Sequence, residues 1–296
     1  MNPDPRRLKV GAAIVALYVI WGSTYLALRF GLEGGFTPFL MGGLRFTIAG
    51  AALYGWARRR GNPLPTRLEW RNAAFIGGLL LVGGVGLVTI AEDNGVGSGV
   101  VATAVAAMPL WMAVLGFGFG SRPRRLEWIG LLVGFGGVVI LSFESDFATT
   151  TLGLVLVIVS PIFWALGSVL SGHLLLPRGM MGTSAQLLTG GLLLAVAGLA
   201  RGERISTMPT PGAWAAVGYL IVLGSVIAFG AYMYLLVNVR PAVASSYAYV
   251  NPAVAVLLGV TLGSETVSGW TLAGLPVILL GVAVVGLAQR RKQETP

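Results

Sequence analysis

Residues 152–172 read LGLVLVIVSPIFWALGSVLSG, without one charged side chain. Roughly 20 apolar residues wound as a helix cross the ~30 Å hydrocarbon layer of a bilayer, so this segment has the length and character of a membrane span. It is not alone. The same ruler finds ten candidate spans, at 10–30, 38–57, 71–91, 97–119, 127–143, 152–172, 183–200, 212–236, 241–262 and 270–288. Their connections are mostly short, and several hold turn residues such as Gly61-Asn62-Pro63 and Thr210-Pro211-Gly212. The fold class expected is an all-α polytopic membrane protein with ten transmembrane helices.

The composition agrees with that reading. Of 296 residues, 55% are hydrophobic and 10% are charged, whereas soluble domains carry about a quarter charged residues. Too few polar side chains exist to coat a soluble fold of this size. The chain has no Cys and one His. Disulfide frameworks and thiolate metal sites are thereby excluded, and a single His argues against Ser/His/Asp catalysis and a His-rich metal site. No metal, no cofactor and no enzymatic activity are expected.

Basic residues set the orientation. An even number of spans puts both termini on one side of the membrane. Sixteen of the twenty Lys and Arg then share that side: Arg6, Arg7, Lys9, Arg58, Arg59, Arg60, Arg67, Arg71, Arg122, Arg124, Arg125, Arg178, Arg240, Arg290, Arg291 and Lys292. Arg29, Arg201 and Arg204 lie opposite, and Arg45 lies within a span. The positive-inside rule places both termini in the cytoplasm, with a bacterial-type inner membrane as the expected location. These anchors beside anionic lipid account for the net charge of +9, so membrane lipid rather than nucleic acid is the expected partner. Arg6, Arg7 and Lys9 before an apolar run resemble a secretion signal, whose core is about 7–15 residues long. Here the run continues to Phe30, and it reads as an uncleaved first span.

Shifting the second half over the first by 143 residues reveals a repeat. Trp21 falls on Trp164, Pro109 on Pro252, Leu115-Gly116 on Leu258-Gly259, and Gly120-Ser121 on Gly263-Ser264. One residue later in register, Gly130-Leu131, Val133 and Gly137-Val138 match Gly274-Leu275, Val277 and Gly281-Val282. The division expected is a first five-helix repeat at 1–145 and a second at 146–296, together one membrane unit. Five spans per half mean that the halves enter the membrane from opposite sides. Such inverted repeats surround the central cavity of many secondary transporters.

With these residues in view, the chain resembles the drug/metabolite transporter superfamily. The resemblance rests on Ile20-Trp21-Gly22-Ser23-Thr24-Tyr25 in the first span, on Pro109 and Pro252, and on Leu262-Gly263-Ser264-Glu265 before a Gly-rich last helix. More narrowly, it is similar to the EamA-type ten-helix exporters, including the aromatic amino acid exporters, over about residues 10–288. The resemblance implies export of small metabolites, amino acids foremost. One departure is that the acidic residue of that pattern occurs only as Glu265, the first half having Gly120-Ser121-Arg122.

Helical spacing groups the candidate residues into stripes. The first span offers Tyr18, Trp21 and Tyr25, and the sixth offers Ser160, Trp164, Ser168 and Ser171. The eighth has Ser225, Phe229 and Tyr232, and the ninth has Ser245, Tyr249 and Asn251. Pockets are mostly apolar with a few placed polar groups. The expected cavity lining is Trp21, Tyr25, Met108, Trp111, Trp164, Ser168, Tyr232, Ser245, Tyr249 and Asn251, with Pro109 and Pro252 as hinges beside it. Tyr18 and Tyr25 also suit the interfacial aromatic belt. The many glycines serve close helix packing, since no strand-turn-helix context exists for a phosphate loop. Arg45 is the clearest intramembrane charge, a functional residue or one that binds carbonyls. His173 is expected at an interface, and Glu92, Asp93, Glu144, Asp146 and Glu265 at external loops or helix ends. The expected function is therefore alternating-access export of a small molecule, favouring neutral or aromatic amino acids. With no mid-membrane carboxylate to carry a proton, facilitated diffusion is the expected energetics. A channel-like pore for small solutes is the competing reading. Substrate and oligomeric state are left open by the sequence.

Overall fold

The computed structural model describes residues 5–93, 105–143, 151–254 and 269–290. Among the described residues, helices run through the part of each predicted span that is described, and there is no strand. They are α1 (Pro5–Glu33), α2 (Pro38–Arg59), α4 (Met108–Gly118), α5 (Arg125–Ser142), α6 (Thr151–Ser171), α7 (Met180–Ala200) and α10 (Gly269–Arg290). Two further helices change pitch midway. α3 is α-helical over Arg67–Gly77, π-helical over Gly78–Gly86 and α-helical again over Leu87–Asp93. α8 repeats the pattern over Pro211–Tyr219, Leu220–Ala228 and Phe229–Asn238. α9 starts as Pro241–Ala244, turns at 245–246 and resumes over 247–254. Five of the described helical stretches are long and apolar enough to cross a membrane by length and composition.

Helix starts are fixed by caps at positions where backbone N–H groups have no partner within the helix. Thr66 and Glu69 form a capping box at α3, with Thr66 N donating to Glu69 Oε2 at 2.7 Å. Thr210 accepts from Ala213 N at 3.2 Å to begin α8. The start of α2 is capped from afar: the Glu203 carboxylate accepts from Phe39 N and from Leu40 N, each at 3.0 Å. Arg58 and Arg59 close the same helix where basic side chains suit the dipole.

Small residues decide which helices meet. α2 lies along α7, where a Cβ on Gly191 would sit 2.5 Å from Thr47 N, and one on Gly43 2.8 Å from Ala195 N. Gly50 meets Leu188, so contact 50–188 gives way to 47–191 and then 43–195. The two helices therefore run antiparallel. α5 lies along α10 in the same way, with Gly130 against Val285, Gly134 against Gly281, and Gly137 against Ile278, whose N would be 2.6 Å from a Cβ. Each helix of these two pairs is in contact with its counterpart one repeat away. An element meets its own counterpart only at a pseudo-twofold axis, and antiparallel contact makes that axis relate oppositely directed halves. α1 packing on α8, and α6 on α3, completes the same symmetry.

The pitch changes obey it too. The π-turns begin at Gly78 and Leu220 and end at Gly86 and Ala228, an offset of 142 residues at both ends. The bundle's outer surface is apolar, with Leu132, Leu199 and Leu280 all more than half exposed, as a lipid-facing surface requires.

Candidate functional site

Aromatic side chains from four helices converge inside the bundle. Trp21 of α1 lies 5.8 Å from Trp164 of α6 in an edge-to-face arrangement, 5.3 Å from Tyr232 of α8, and 4.6 Å from Tyr247 of α9, measured between ring centroids. Phe229 closes the group at 6.4 Å from Trp21. Edge-to-face pairs at these separations are favourable because the positive edge of one ring meets the negative face of another. Trp21 is 8% exposed and Tyr232 is fully buried. The rings meet one another between the helices.

Hydroxyl groups thread through the cluster. Trp164 Nε1 donates to Tyr232 Oη at 3.1 Å, and Ser168 Oγ bonds the same hydroxyl. Tyr232 Oη in turn points to Met112 Sδ of α4 at 3.9 Å. Tyr18 Oη and Ser246 Oγ are 2.7 Å apart, joining α1 to α9. These groups form a polar thread in an apolar setting, the pattern of a small-molecule site.

The two π-turns hold the tryptophans in place. A π-turn widens the helix and disturbs its hydrogen-bond ladder, leaving carbonyls to find other donors. Trp21 Nε1 donates to Gly224 O of the α8 π-turn at 3.0 Å. Ser160 Oγ donates to Gly84 O of the α3 π-turn at 2.7 Å, and a Cβ on Gly84 would fall 2.6 Å from Trp164 Cε3. Each tryptophan thus rests on the π-turn of the opposite half. Only glycine leaves the room for this at Gly84.

The structure sorts the residues singled out by sequence. Trp21, Trp164, Ser168 and Tyr232 come together as described. Met108 is buried in the same core, and Trp111 packs against it at partial exposure. Tyr249 goes elsewhere: its hydroxyl donates to Leu131 O at 2.9 Å and its ring covers Gly134, which seats it against α5. Ser245 is fully buried and donates back to Pro241 O at 2.8 Å. Asn251 is 4% exposed, and its Oδ1 has no hydrogen-bond partner among the described residues. Tyr25 lies on α1, its side chain outside the described part, as are Glu144, Asp146 and Glu265. The prolines act differently from a pair of matched kinks. Residues 105–106 are helical, Ala107 turns, and α4 restarts with Pro109 in its first turn, where a missing N–H costs nothing. In α9 the break is at 245–246, and Pro252 sits within the resumed helix.

That break explains what the stripes missed. Ala248 N and Tyr249 N bond three residues back, to Ser245 O and Ser246 O, a tighter winding than 3.6 residues per turn. The face directed at α1 becomes Ser246, against Tyr18, and Tyr247, against Trp21, instead of Ser245 and Tyr249. Pairing rules for ideal helices gave no sign of it, although Ser245-Ser246 next to two tyrosines marked the area as polar.

A second missed constellation lies at the end of the bundle that holds the 119–125 and 239–240 connections. Glu127, in the first turn of α5, is 1% exposed and forms an ion pair with Arg240 between α8 and α9. Arg240 Nη2 donates to Glu127 Oε2 at 2.6 Å and to Arg122 O at 2.8 Å. Glu127 also caps α5 by accepting from Arg124 N at 2.7 Å. Nearby, His173 reaches Phe119 O at 3.3 Å and packs its ring on Phe119. Among the described residues, no group of three or more His, Cys, Asp or Glu is placed to hold a metal ion.

Comparison with known proteins agrees with this architecture. The EamA-like transporter family matches residues 9–143 and again 151–287. The chain is 43% identical to the "Uncharacterized inner membrane transporter YedA" of Escherichia coli (strain K12), covering 95% of this chain and 92% of that one. It is 27% identical to Protein PecM of Dickeya dadantii (strain 3937), over 94% and 93% of the two chains. One solved crystal structure superposes with a TM-score of 0.80 at 24% identity, covering 98% of this chain and 100% of the other, a likeness that shows the fold. Two family matches in tandem, helices paired antiparallel with their counterparts, and a buried aromatic cluster where the halves meet lead to one conclusion: the chain is a membrane transporter and belongs to the EamA-like transporter family.

Proposed function

We propose that the chain exports neutral or aromatic amino acids by alternating access, each half serving as one arm of the rocking movement. The observation that carries this reading is the convergence of Trp21, Trp164, Tyr232 and Tyr247 from both halves onto one buried point. An aromatic or aliphatic side chain of a substrate replaces ring-ring contacts there with equivalent ones. Its polar end meets the hydroxyls of Tyr232, Ser168 and Ser246. Met108 and Trp111 border the same site from α4. Rings packed edge to face at this point favour a carrier over a continuously open pore.

The rocking movement proposed here opens the bundle at the end held by Glu127 and Arg240, and the basic asymmetry of the sequence assigns that end to the cytoplasm. The transport step follows the substrate gradient. No carboxylate sits beside the aromatic cluster among the described residues, and Glu127, the buried acid among them, is held in an ion pair at a helix start. The test is flux from proteoliposomes loaded with radiolabelled L-phenylalanine, without ion gradients. Saturable efflux that is stimulated by unlabelled substrate on the far side is the expected result. Linear, non-saturating flux would identify a pore, and flux that requires an imposed pH gradient would overturn the uniport.

A further inference from the structure

Arg45 is the most deeply placed cation of the described chain. It stands in α2, seven residues past Pro38, and is 7% exposed. Its Nε donates to Ser225 Oγ of the α8 π-turn at 2.7 Å, and its guanidinium carbon lies 4.5 Å from the centre of the Phe46 ring. Among the described residues, no carboxylate pairs with it. A guanidinium has five N–H donors and matches a carboxylate two-pronged. Ser225 takes one of them. A hydroxyl and a ring face are weak compensation for a charge removed from water, and an unpaired buried charge is strongly unfavourable.

The position of this unneutralised charge is specific. The terminal Nη2 leans over Gly224, where a Cβ would be only 2.9 Å away. Gly224 is the residue whose carbonyl holds the Trp21 indole. Thr24 of α1 borders the same point, its methyl 3.2 Å from that Cβ position, and its hydroxyl is occupied by Trp21 O at 2.7 Å. One π-turn therefore presents Ser225 to Arg45 and Gly224 to Trp21, which puts the free donors of the guanidinium at the rim of the aromatic cluster.

We propose that Arg45 is the anion-binding point of the transport site and receives the carboxylate of the substrate, while the aromatic cluster takes the apolar part. The assignment rests on the reading of that cluster as the transport site. Substrate arrival then supplies the countercharge that the protein lacks. Ser225 and Phe46 are positioning groups: they fix the guanidinium plane and leave the terminal nitrogens for the ligand.

Thermal unfolding of the detergent-purified full chain separates the possibilities, using four probes of one shape: L-phenylalanine, 3-phenylpropionate, L-phenylalaninamide and 2-phenylethylamine. The expected result is stabilisation by the two carboxylates alone. Arg45→Gln should weaken both by about ten- to a hundred-fold, the range for a hydrogen bond to a charged group. Arg45→Lys, which keeps the charge but loses the fork, should weaken them less and still reject the amide. Should Arg45→Gln fail to fold, Arg45→Lys and Ser225→Ala supply the comparison, both reducing carboxylate affinity. Stabilisation by 3-phenylpropionate without L-phenylalanine supports the anion site and removes amino acid export. Equal binding of L-phenylalanine and its amide, unchanged in Arg45→Lys, overturns the anion site and leaves amino acid export standing. Binding of neither carboxylate overturns the anion site as well.

Discussion

Replacing Glu127 by Gln tests the ion pair that ties α5 to the α8–α9 connection. The carboxylate is 1% exposed and accepts from Arg240 and from Arg124 N. An amide keeps one acceptor oxygen but turns an NH2 group toward Arg240 and removes the charge. Taking one partner from a buried pair costs about 3–5 kcal/mol. Arg240 keeps 19% of its side chain exposed and retains Arg122 O as an acceptor, so solvent relieves part of the loss and about 2–3 kcal/mol is expected. At about 2 °C per kcal/mol for a chain of this size, the unfolding midpoint falls by roughly 4–6 °C. Tryptophan fluorescence during heating of the detergent-purified protein reads it out, with Trp128 one residue away as a local reporter. The double variant Glu127→Gln/Arg240→Gln should lose less than the sum of the single losses, because the second change removes a charge already deprived of its partner. A midpoint within about 1 °C of the parent, or strict additivity in the double variant, would show that the pair contributes nothing and that this end of the bundle is held by packing.

Other expectations follow from the same contacts. Gly281→Leu drives a side chain into the Gly134 backbone and should destabilise by more than the ~1–3 kcal/mol of ordinary overpacking; unaltered thermal unfolding would mean that α5 and α10 are not in close contact. Trp164→Ala removes a ring and the donor to Tyr232, costing about 3–5 kcal/mol, and should impair L-phenylalanine flux more than Trp214→Ala at the edge of α8. Equal flux defects in folded protein would leave Trp164 a packing residue. Single cysteines introduced near Asn62 should resist an impermeant thiol reagent applied to intact cells, and labelling from outside would reverse the proposed orientation.

Much of the architecture was legible because a membrane imposes a length on apolar runs, and because Trp21 and Trp164 hold register across 143 residues. The pairing of α2 with α7 and of α5 with α10 was legible only in outline, since glycines announce close packing without naming the partner. The π-turns were hidden, because apolar residues such as those of Gly78–Gly86 look the same at either pitch. Tyr247 was missed and Tyr249 preferred for a related reason: one tight turn at 245–246 rotates every later residue. Glu127 with Arg240 escaped notice because their 113-residue separation carries no periodic signal.

The matching π-turns also bear on ancestry. A π-turn arises when one residue is inserted into a helix, and it survives only where its cost is compensated. Two independent insertions at equivalent depth would be a coincidence, whereas a single insertion copied by gene duplication explains both. The tandem family matches at 9–143 and 151–287 agree with such a duplication. Each copy of the irregular helix now seats the tryptophan of the other half.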